Sequence, residues 1–543
     1  MIVRDWDVWH VYSSFLDTKK VDLEAAASIF VQSGIAVCAL HRDGRTWWQT
    51  DTGVRSGVTT IKLNPNRSGA RIKLVADDGE EDNLEGYVAE AWYQISHFRF
   101  NELRVLGGEH ITPPYVRAVL GEFHLTSNEA GFTAVVYPVI KLFENGVVLV
   151  QFRTIAPNHE IPLNKFINRF VNLAVVPFDE VKVPPPISEL AVKAFYHSAR
   201  SWSLRLRAIL AWAERSHERA VKENTCETLS GDFVAKLAPL TRAGEQPDTL
   251  SSLAQTLFSI IGFILSNPRH GIAFVIRGQR SLILSGNWWS GRPHVYLIDF
   301  EGQCTSAQEN VKSFGAEFGW ILGRCAGGES KAGLRYLPDN LRHFDDYSAF
   351  VGQSASLWVW SKNGREQRKK WADANRGHLI YENQAIIELL EYGYILHRAL
   401  LAKTEMAQSA NEVHSIRWAI NQLRSGMADA SHFGEIRDLL HAGWKEMGTE
   451  NLLAIISDSL SIREAQTSLR EARGNERIGR WLTVLFGVIA TPTLASDVVK
   501  PIWELLAWWR PTDEKAAGLF FLLVAFVGVS AIITVLSRTN KVQ

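Results

Sequence analysis

The pattern of apolar and polar positions changes character twice along the chain. Before residue 366, short apolar runs alternate with turn residues, which predicts strands interleaved with helices. In residues 381–480, apolar residues recur at helical spacing with charges between them, and no proline interrupts them. After residue 480, charges nearly disappear over two long stretches. The sequence therefore predicts an α/β body, then a helical segment, then a C-terminal apolar pair.

Two dipeptides in the first part of the chain predict tight hairpins. Asp43-Gly44 lies between the runs GIAVCALH and RTWWQT, and Asn145-Gly146 lies between VVYPVIKLF and VVLVQFR. Both dipeptides readily adopt the positive φ angles that two-residue turns require. Each pair of runs is therefore expected to form two antiparallel strands.

Turns and prolines give the expected domain boundaries. Three consecutive prolines at residues 184–186 fix φ and remove donors, so they predict a stiff connector. Asn363-Gly364 predicts a turn after the run SASLWVWSK, and strand signals then end. We expect an N-terminal α/β domain in residues 1–183, a second α/β domain in residues 184–380 and a helical stalk in residues 381–480.

Two stretches near the C-terminus are long and apolar enough to cross a bilayer. At about 1.5 Å of rise per residue, a helix of about 20 residues spans the ~30 Å hydrocarbon core. Residues 481–499 contain one charged side chain, Asp497, and residues 516–536 contain none. We expect two transmembrane helices with a short outer loop in residues 481–536, and a tail in residues 537–543.

Composition narrows the class of protein. The 58 Lys and Arg residues balance the 58 Asp and Glu residues, so the overall charge gives no basis for direct DNA or RNA binding. The cysteines, Cys38, Cys226, Cys304 and Cys325, are far apart, which predicts free thiols in a reducing compartment. The N-terminus lacks the pattern of a signal peptide, so the body is expected in the cytoplasm.

Basic residues flank both apolar stretches and predict their orientation. Arg538 and Lys541 follow the second stretch. Five arginines precede the first stretch: Arg463, Arg470, Arg473, Arg477 and Arg480. Because basic residues favour the cytoplasmic side, both termini are expected in the cytoplasm and the protein in the inner membrane.

The C-terminal arrangement resembles the CorA-type family of divalent-cation transporters. The helical segment runs into the first apolar stretch without a helix breaker, and Pro492-Thr493-Leu494 is similar to an element in the family's first membrane helix. The Gly-Met-Asn signature of the family is absent, and residues 498–501 read Val-Val-Lys-Pro instead. The resemblance covers roughly the helical and membrane segments and leaves the large body outside it.

The resemblance implies an assembly and a function. It implies a homopentamer in which the first membrane helix of each copy lines a pore. Mg²⁺ is the cation that the family transports. Because the Gly-Met-Asn signature is missing, the resemblance does not carry this Mg²⁺ selectivity over to the chain. Some CorA-like proteins with enlarged cytosolic regions accompany type III CRISPR antiviral systems, where a nucleotide-type second messenger activates them. The large body of this chain is similar to that branch.

One face of the first apolar stretch is the candidate pore lining. Its residues are small or polar and recur at helical spacing: Thr483, Gly487, Ala490, Leu494 and Asp497. Five copies of Asp497 would form a carboxylate ring that favours cations. The alternative is that Asp497 lies at headgroup level and ends the span. Pro492 removes one backbone hydrogen bond, so it is a candidate hinge or a static bend.

A second group of residues is the candidate ligand pocket. Arginine suits phosphate and tryptophan suits a flat base, so a small nucleotide-type ligand is expected. The residues are Arg277, Arg280, Asn287, Trp288, Trp289 and Arg292, the last four in a predicted turn. The alternative is a set of ordinary turns with solvated charges. Asp299 and Glu301 could hold a metal ion, but no third ligand stands at a convincing spacing, so the metal stays unassigned.

These observations favour a ligand-controlled membrane channel or membrane effector over an enzyme. A divalent-cation transporter with a divergent filter is the first alternative. An enzyme that the two helices anchor to the membrane is the second.

Overall fold

The computed structural model of the protein describes residues 1–16, 18, 20–50, 53–63, 70–79, 81–83, 95, 112–155, 159–198, 206, 218–219, 221–223, 225–227, 233–237, 248–266, 289–326, 330–371, 379–428, 434–506 and 513–539. The chain forms two compact units. The body comprises Met1–Lys403 and Trp418–Ile456, and the C-terminal unit comprises Thr404–Arg417 and Ser457–Gln543. The four cysteines are free thiols, as predicted.

The body is built on one large mixed sheet. Its strands pair in the order β6-β5-β4-β3-β2-β7-β9-β10-β1-β15-β17-β16, with all neighbours antiparallel except β15 and β17. The first half of β9 instead continues through β8, β12, β14 and β13. The strands are β1 (Ile2–Phe15), β2 (Cys38–His41), β3 (Arg45–Thr50), β4 (Gly53–Leu63), β5 (Ala70–Ala76), β6 (Glu81–Asn83), β7 (Tyr115–Val119), β8 (Phe123–Ser127), β9 (Phe132–Phe143), β10 (Val147–Ile155), β11 (Ile161–Pro162), β12 (Glu180–Val183), β13 (Cys226–Glu227), β14 (Phe233–Lys236), β15 (Trp289–Phe300), β16 (Tyr347–Val351) and β17 (Ser356–Trp360).

Both predicted hairpins are confirmed. Gly44 adopts φ 103° between β2 and β3, and Gly146 adopts φ 89° between β9 and β10. A Cβ at Gly146 would lie 2.8 Å from the carbonyl oxygen of Leu16, so both the backbone conformation and the space favour glycine. The predicted turn at Asn363-Gly364 is wrong, because these residues lie in the first turn of a helix, Lys362–Trp371.

Helices cover both faces of the sheet. On one face, α1, α4 and α5 pack on side chains such as Trp6, Val8 and Tyr12 of β1. On the other face, α8 and α10 pack on Trp9 and Val11. The helices are α1 (Leu23–Gln32), α2 (Leu163–Phe166), α3 (Pro185–Ser198), α4 (Leu250–Leu265), α5 (Ala307–Leu322), α6 (Ser330–Leu334), α7 (Lys362–Trp371), α8 (Tyr381–Met406), α9 (Ala410–Ala428), α10 (Gly434–Glu446), α11 (Thr449–Leu494), α12 (Lys500–Leu506) and α13 (Glu514–Thr539).

The body divides differently from the domains that the sequence predicts. Strand β1 pairs with β15 over most of its length, so residues 1–183 and 184–380 share one sheet. The prolines at 184–186 do not separate two bodies, because α3 begins at Pro185. Proline fits the first turn of a helix, where its missing N–H needs no partner.

Helix α8 also differs from the predicted stalk. Nearly every side chain from Tyr381 to Ala399 is buried, and the helix lies in a large apolar cluster of the body. Gly393 allows Trp444 of α10 to approach, since a Cβ there would lie 2.6 Å from the indole Nε1. A helix that is covered on all sides is a core element rather than a solvated stalk.

Candidate functional site

Among the described residues, two helices are long and apolar enough to cross a membrane. The first is the continuous helical segment Thr449–Leu506, and the second is Glu514–Ala531. Only 12% and 11% of the residues in their most apolar windows are buried within the protein. The predicted continuity of the helical segment into the first apolar stretch is confirmed, because α11 has no break from Thr449 to Leu494.

The predicted pore-lining residues lie on the open surface of this helix. Thr483, Ala490 and Asp497 are exposed, and Gly487 and Leu494 are half-buried. The Thr483 hydroxyl donates to the Gly479 carbonyl oxygen at 2.8 Å, so it satisfies itself within the helix. Of these five candidates, Gly487 and Leu494 are partly covered and none is fully buried.

A π-helical turn, Ala495–Val499, holds Asp497. The Lys500 N–H donates to the Ala495 carbonyl oxygen, five residues back. Pro501 follows at once, and in an α-helix its ring would meet the carbonyl of Asp497. The wider turn separates those groups, which gives a local reason for its position. The helix then continues to Leu506, so the connection between the two apolar helices is shorter than predicted. Pro492 lies inside α11.

The two helices meet through a small contact at this end. Ala495, Phe521 and Ala525 are buried against each other. The Trp503 and Phe520 rings meet edge to face, with centroids 5.2 Å apart. The Ser496 hydroxyl donates to Asp497 Oδ1 at 2.7 Å, so the carboxylate is held but stays accessible.

Most of the predicted ligand pocket lies outside the described residues. Arg277, Arg280, Asn287 and Trp288 belong to that part, and Trp289 is described only by its backbone in β15. Arg292 lies in β15 rather than in the predicted turn, and its side chain is buried. It therefore is not a solvated turn residue.

Arg292 belongs to a buried polar layer between α8 and the sheet. Its Nε lies 3.8 Å from Glu391 Oε1, and His294 Nε2 lies 3.5 Å from the same oxygen. On the far side of the ring, His294 Nδ1 lies 2.5 Å from the Ser356 hydroxyl. Burial lowers the pKa of His294 although Glu391 opposes the shift, so the ring is neutral at neutral pH. Arg292 and Glu391 thus form a loose pair inside the body.

Glu388, one turn earlier on α8, is held much more tightly. Its carboxylate accepts from Arg117 Nη1 at 2.7 Å, from Lys141 Nζ at 2.8 Å and from Gln151 Nε2 at 2.8 Å. Burial alone would raise the pKa of Glu388, but the charges and hydrogen bonds of Arg117 and Lys141 outweigh burial and lower it to about 2. The group is therefore ionised at every physiological pH.

A third buried pair completes the layer. Arg153 donates to Asp7 Oδ2 through Nε at 2.9 Å, and its Nη2 lies 2.7 Å from the same atom. The guanidinium also lies 5.7 Å from the Tyr381 ring centroid, at the start of α8. Sequence reasoning missed this layer, although single charges inside apolar strands were a visible signal.

Two other sequence candidates lie at the end of β15. Asp299 Oδ2 lies 3.0 Å from Arg365 Nη1, while Glu301 is exposed in the turn after β15. Among the described residues, no group of three or more His, Cys, Asp and Glu side chains could hold a metal ion. Comparisons with protein-family models, curated proteins and solved structures gave no match.

Proposed function

We propose that the protein is a homo-oligomeric membrane channel or membrane effector whose large body controls a pore. The observation that carries the proposal is the continuous helix α11, which joins a charged segment to an apolar one. Along the apolar part, Trp481 is 75% exposed, Phe486 64% and Ile489 63%. A soluble protein rarely leaves so large an apolar surface open, whereas lipid would cover it.

The strip of small and polar residues on α11 favours a pore over a plain anchor. If copies of α11 surround a shared axis, the members of this strip need not face lipid: Thr483, Gly487, Ala490 and Asp497. Charged groups in membrane segments face a cavity or a partner, and among the described residues the Asp497 carboxylate accepts a side-chain hydrogen bond from Ser496 alone. A closed ring of identical helices would place these residues together. The pentamer comes from the resemblance to CorA-type proteins.

The body is the proposed sensor of a soluble, nucleotide-type signal. This part of the proposal rests on the arginine and tryptophan residues between positions 277 and 292 and on the CRISPR-associated branch of the resembled family. Arg292 supports it because the residue joins that segment of sequence to Glu391 on α8. With both termini in the cytoplasm, the body would meet such a signal directly.

Leakage from liposomes tests the pore. The full chain is reconstituted into vesicles that contain a trapped dye, and ion permeability is then measured under salt gradients. We expect leakage, and we expect Asp497→Asn to shift the cation-to-anion permeability ratio severalfold. Glu504→Gln is the matched control, because it removes an exposed carboxylate of α12 at the same end. The pore proposal fails if wild-type vesicles stay tight with and without added cyclic and linear nucleotides.

The same vesicles separate the alternatives. A divalent-cation transporter would move Mg²⁺ without any nucleotide and would leave the dye inside. A membrane-anchored enzyme would keep its activity when the chain ends at Arg480, whereas a channel or effector would lose its effect on membranes. Equal permeability ratios for wild type and Asp497→Asn would remove Asp497 from the pore lining.

A further inference from the structure

Four arginines form a stripe on α11 directly before its apolar part. Arg470, Arg473, Arg477 and Arg480 follow the spacing i, i+3, i+7 and i+10, which places them within about 80° of one another around a helix. The side chains of Arg470, Arg473 and Arg477 are exposed. No ion pair or hydrogen bond to these three is found within the described part of the chain.

The stripe is separated from both the carboxylates and the candidate pore lining. Glu471 and Glu476 are the carboxylates between Arg470 and Arg480, and both lie outside the arc of the stripe. The strip of Thr483, Gly487 and Ala490 lies about 90° away around the same helix. Copies of α11 that turn this strip towards a shared axis would leave the arginines away from the axis.

We infer that this arginine stripe binds the phosphate groups of anionic phospholipids in the leaflet where α11 enters the membrane. The inference rests on membrane insertion of the helix pair but not on a pore. Guanidinium groups match phosphate oxygens in pairs of hydrogen bonds, and basic residues beside a membrane helix attract anionic headgroups. The stripe ends at Trp481, a residue type that prefers the same interface.

The geometry orders the arginines by their distance from the membrane. Taking Trp481 as the start of the apolar part, Arg477 lies about 6 Å away along the helix, Arg473 about 12 Å and Arg470 about 16 Å. The headgroup region is about 5–7 Å thick on each side, and charge effects fade over about 8–10 Å at physiological salt. We therefore expect Arg477→Gln to lower lipid binding most, Arg473→Gln to lower it less and Arg470→Gln to lower it least.

The test is the lipid selectivity of the full-length protein. The protein is reconstituted into vesicles of mixed phosphatidylcholine and phosphatidylglycerol, and electron paramagnetic resonance of spin-labelled lipids measures which lipid contacts it. We expect the wild type to prefer phosphatidylglycerol. Arg477→Gln should lower the relative affinity for this lipid at the stripe by about fivefold, which is the contribution of one basic residue near an anionic surface. The triple variant R470Q/R473Q/R477Q should abolish the preference, and R470K/R473K/R477K should largely keep it.

A matched control and two further outcomes make the inference falsifiable. The triple variant K312Q/R335Q/R437Q removes the same charge from exposed positions of the body and should leave lipid selectivity unchanged. Equal selectivity in R470Q/R473Q/R477Q and wild type would overturn the inference while flotation with the vesicles still supports insertion. Loss of flotation in the wild type would overturn insertion and the inference together. Millimolar inorganic phosphate could displace the lipid from the protein, with Arg470→Gln, Arg473→Gln and Arg477→Gln weakening phosphate binding equally. That result would assign the stripe to a soluble anion and overturn the lipid assignment.

Discussion

Glu388 is a position where the structure predicts a large effect of a single exchange. Glu388→Gln keeps the shape of the side chain but removes the negative charge between Arg117 and Lys141. All three groups are at most 2% exposed. The exchange therefore leaves two buried cations without their carboxylate, and removing one partner of a buried pair costs about 3–5 kcal/mol.

The pKa of Glu388 gives a second route to the same magnitude. The pKa falls from 4.5 to about 2 in the folded body, and each pH unit is equivalent to about 1.4 kcal/mol. The carboxylate thus contributes about 3 kcal/mol to the free energy of unfolding above pH 4.5. Because the folded pKa is the lower one, this contribution declines as the pH falls from 4.5 towards 2.

Urea unfolding of the detergent-solubilised protein measures the loss. The buried tryptophans Trp9, Trp358 and Trp360 report on the cluster that contains α8. Glu382→Gln is the matched control, since Glu382 lies on the same helix in a partly exposed pair with Arg368 at 2.9 Å and should cost less than about 1 kcal/mol. Equal midpoints for Glu388→Gln and Glu382→Gln would refute the reasoning. The double variant E388Q/K141M, which removes one cation as well, should recover part of the loss.

Three further exchanges test separate parts of the body by the same unfolding measurement. Burial lowers the pKa of His10 from 6.5 to about 3. Because the unfolded chain takes up the proton first, the free energy of unfolding of the wild type should fall by about 2 kcal/mol between pH 6.5 and about pH 5. His10→Gln should flatten this pH dependence, and an unchanged slope would contradict the reasoning. Gly364→Ala would place a Cβ 2.1 Å from the Asp346 carbonyl oxygen and should cost about 1–3 kcal/mol. Gly434→Ala, with open space around it, should change stability by less than about 1 kcal/mol and serves as the control; similar midpoints for the two would show that α7 can move aside.

Local features of the fold could be predicted from the sequence, and features that depend on distant partners could not. The turns at Gly44 and Gly146 follow from the φ preference of two residues, and the long helix into the apolar stretch follows from spacing alone. By contrast, β1 was not predicted, although Trp6, Val8, Trp9 and Val11 are typical strand residues. Its central place depends on β10 and β15, more than a hundred residues away.

The candidate sites divide in the same way. The strip from Thr483 to Asp497 was predictable because one helix carries it. Arg292 was predicted to lie in a turn, either in a ligand pocket or as a solvated charge. Its burial in β15 depends on Glu391, about a hundred positions later. Charges inside an apolar run can be placed only when the opposing layer is known. The structure supplies that layer as α8.

The buried charges also fix where α8 lies on the sheet. Arg117 of β7 and Lys141 of β9 stand directly opposite each other, an arrangement of like charges that is unfavourable by itself. Glu388, on α8, places a carboxylate against both cations and offsets their repulsion. Four residues before and four residues after Glu388 stand Gln384 and Tyr392. Neither carries a charge, so a shift of α8 by four residues would leave both cations unneutralised. An apolar contact would tolerate such a slide far better, because the attraction between apolar surfaces has no direction. The polar layer thus gives α8 a single defined position, and Arg292 and Glu391, which meet only at 3.8 Å, are where that position is held least tightly.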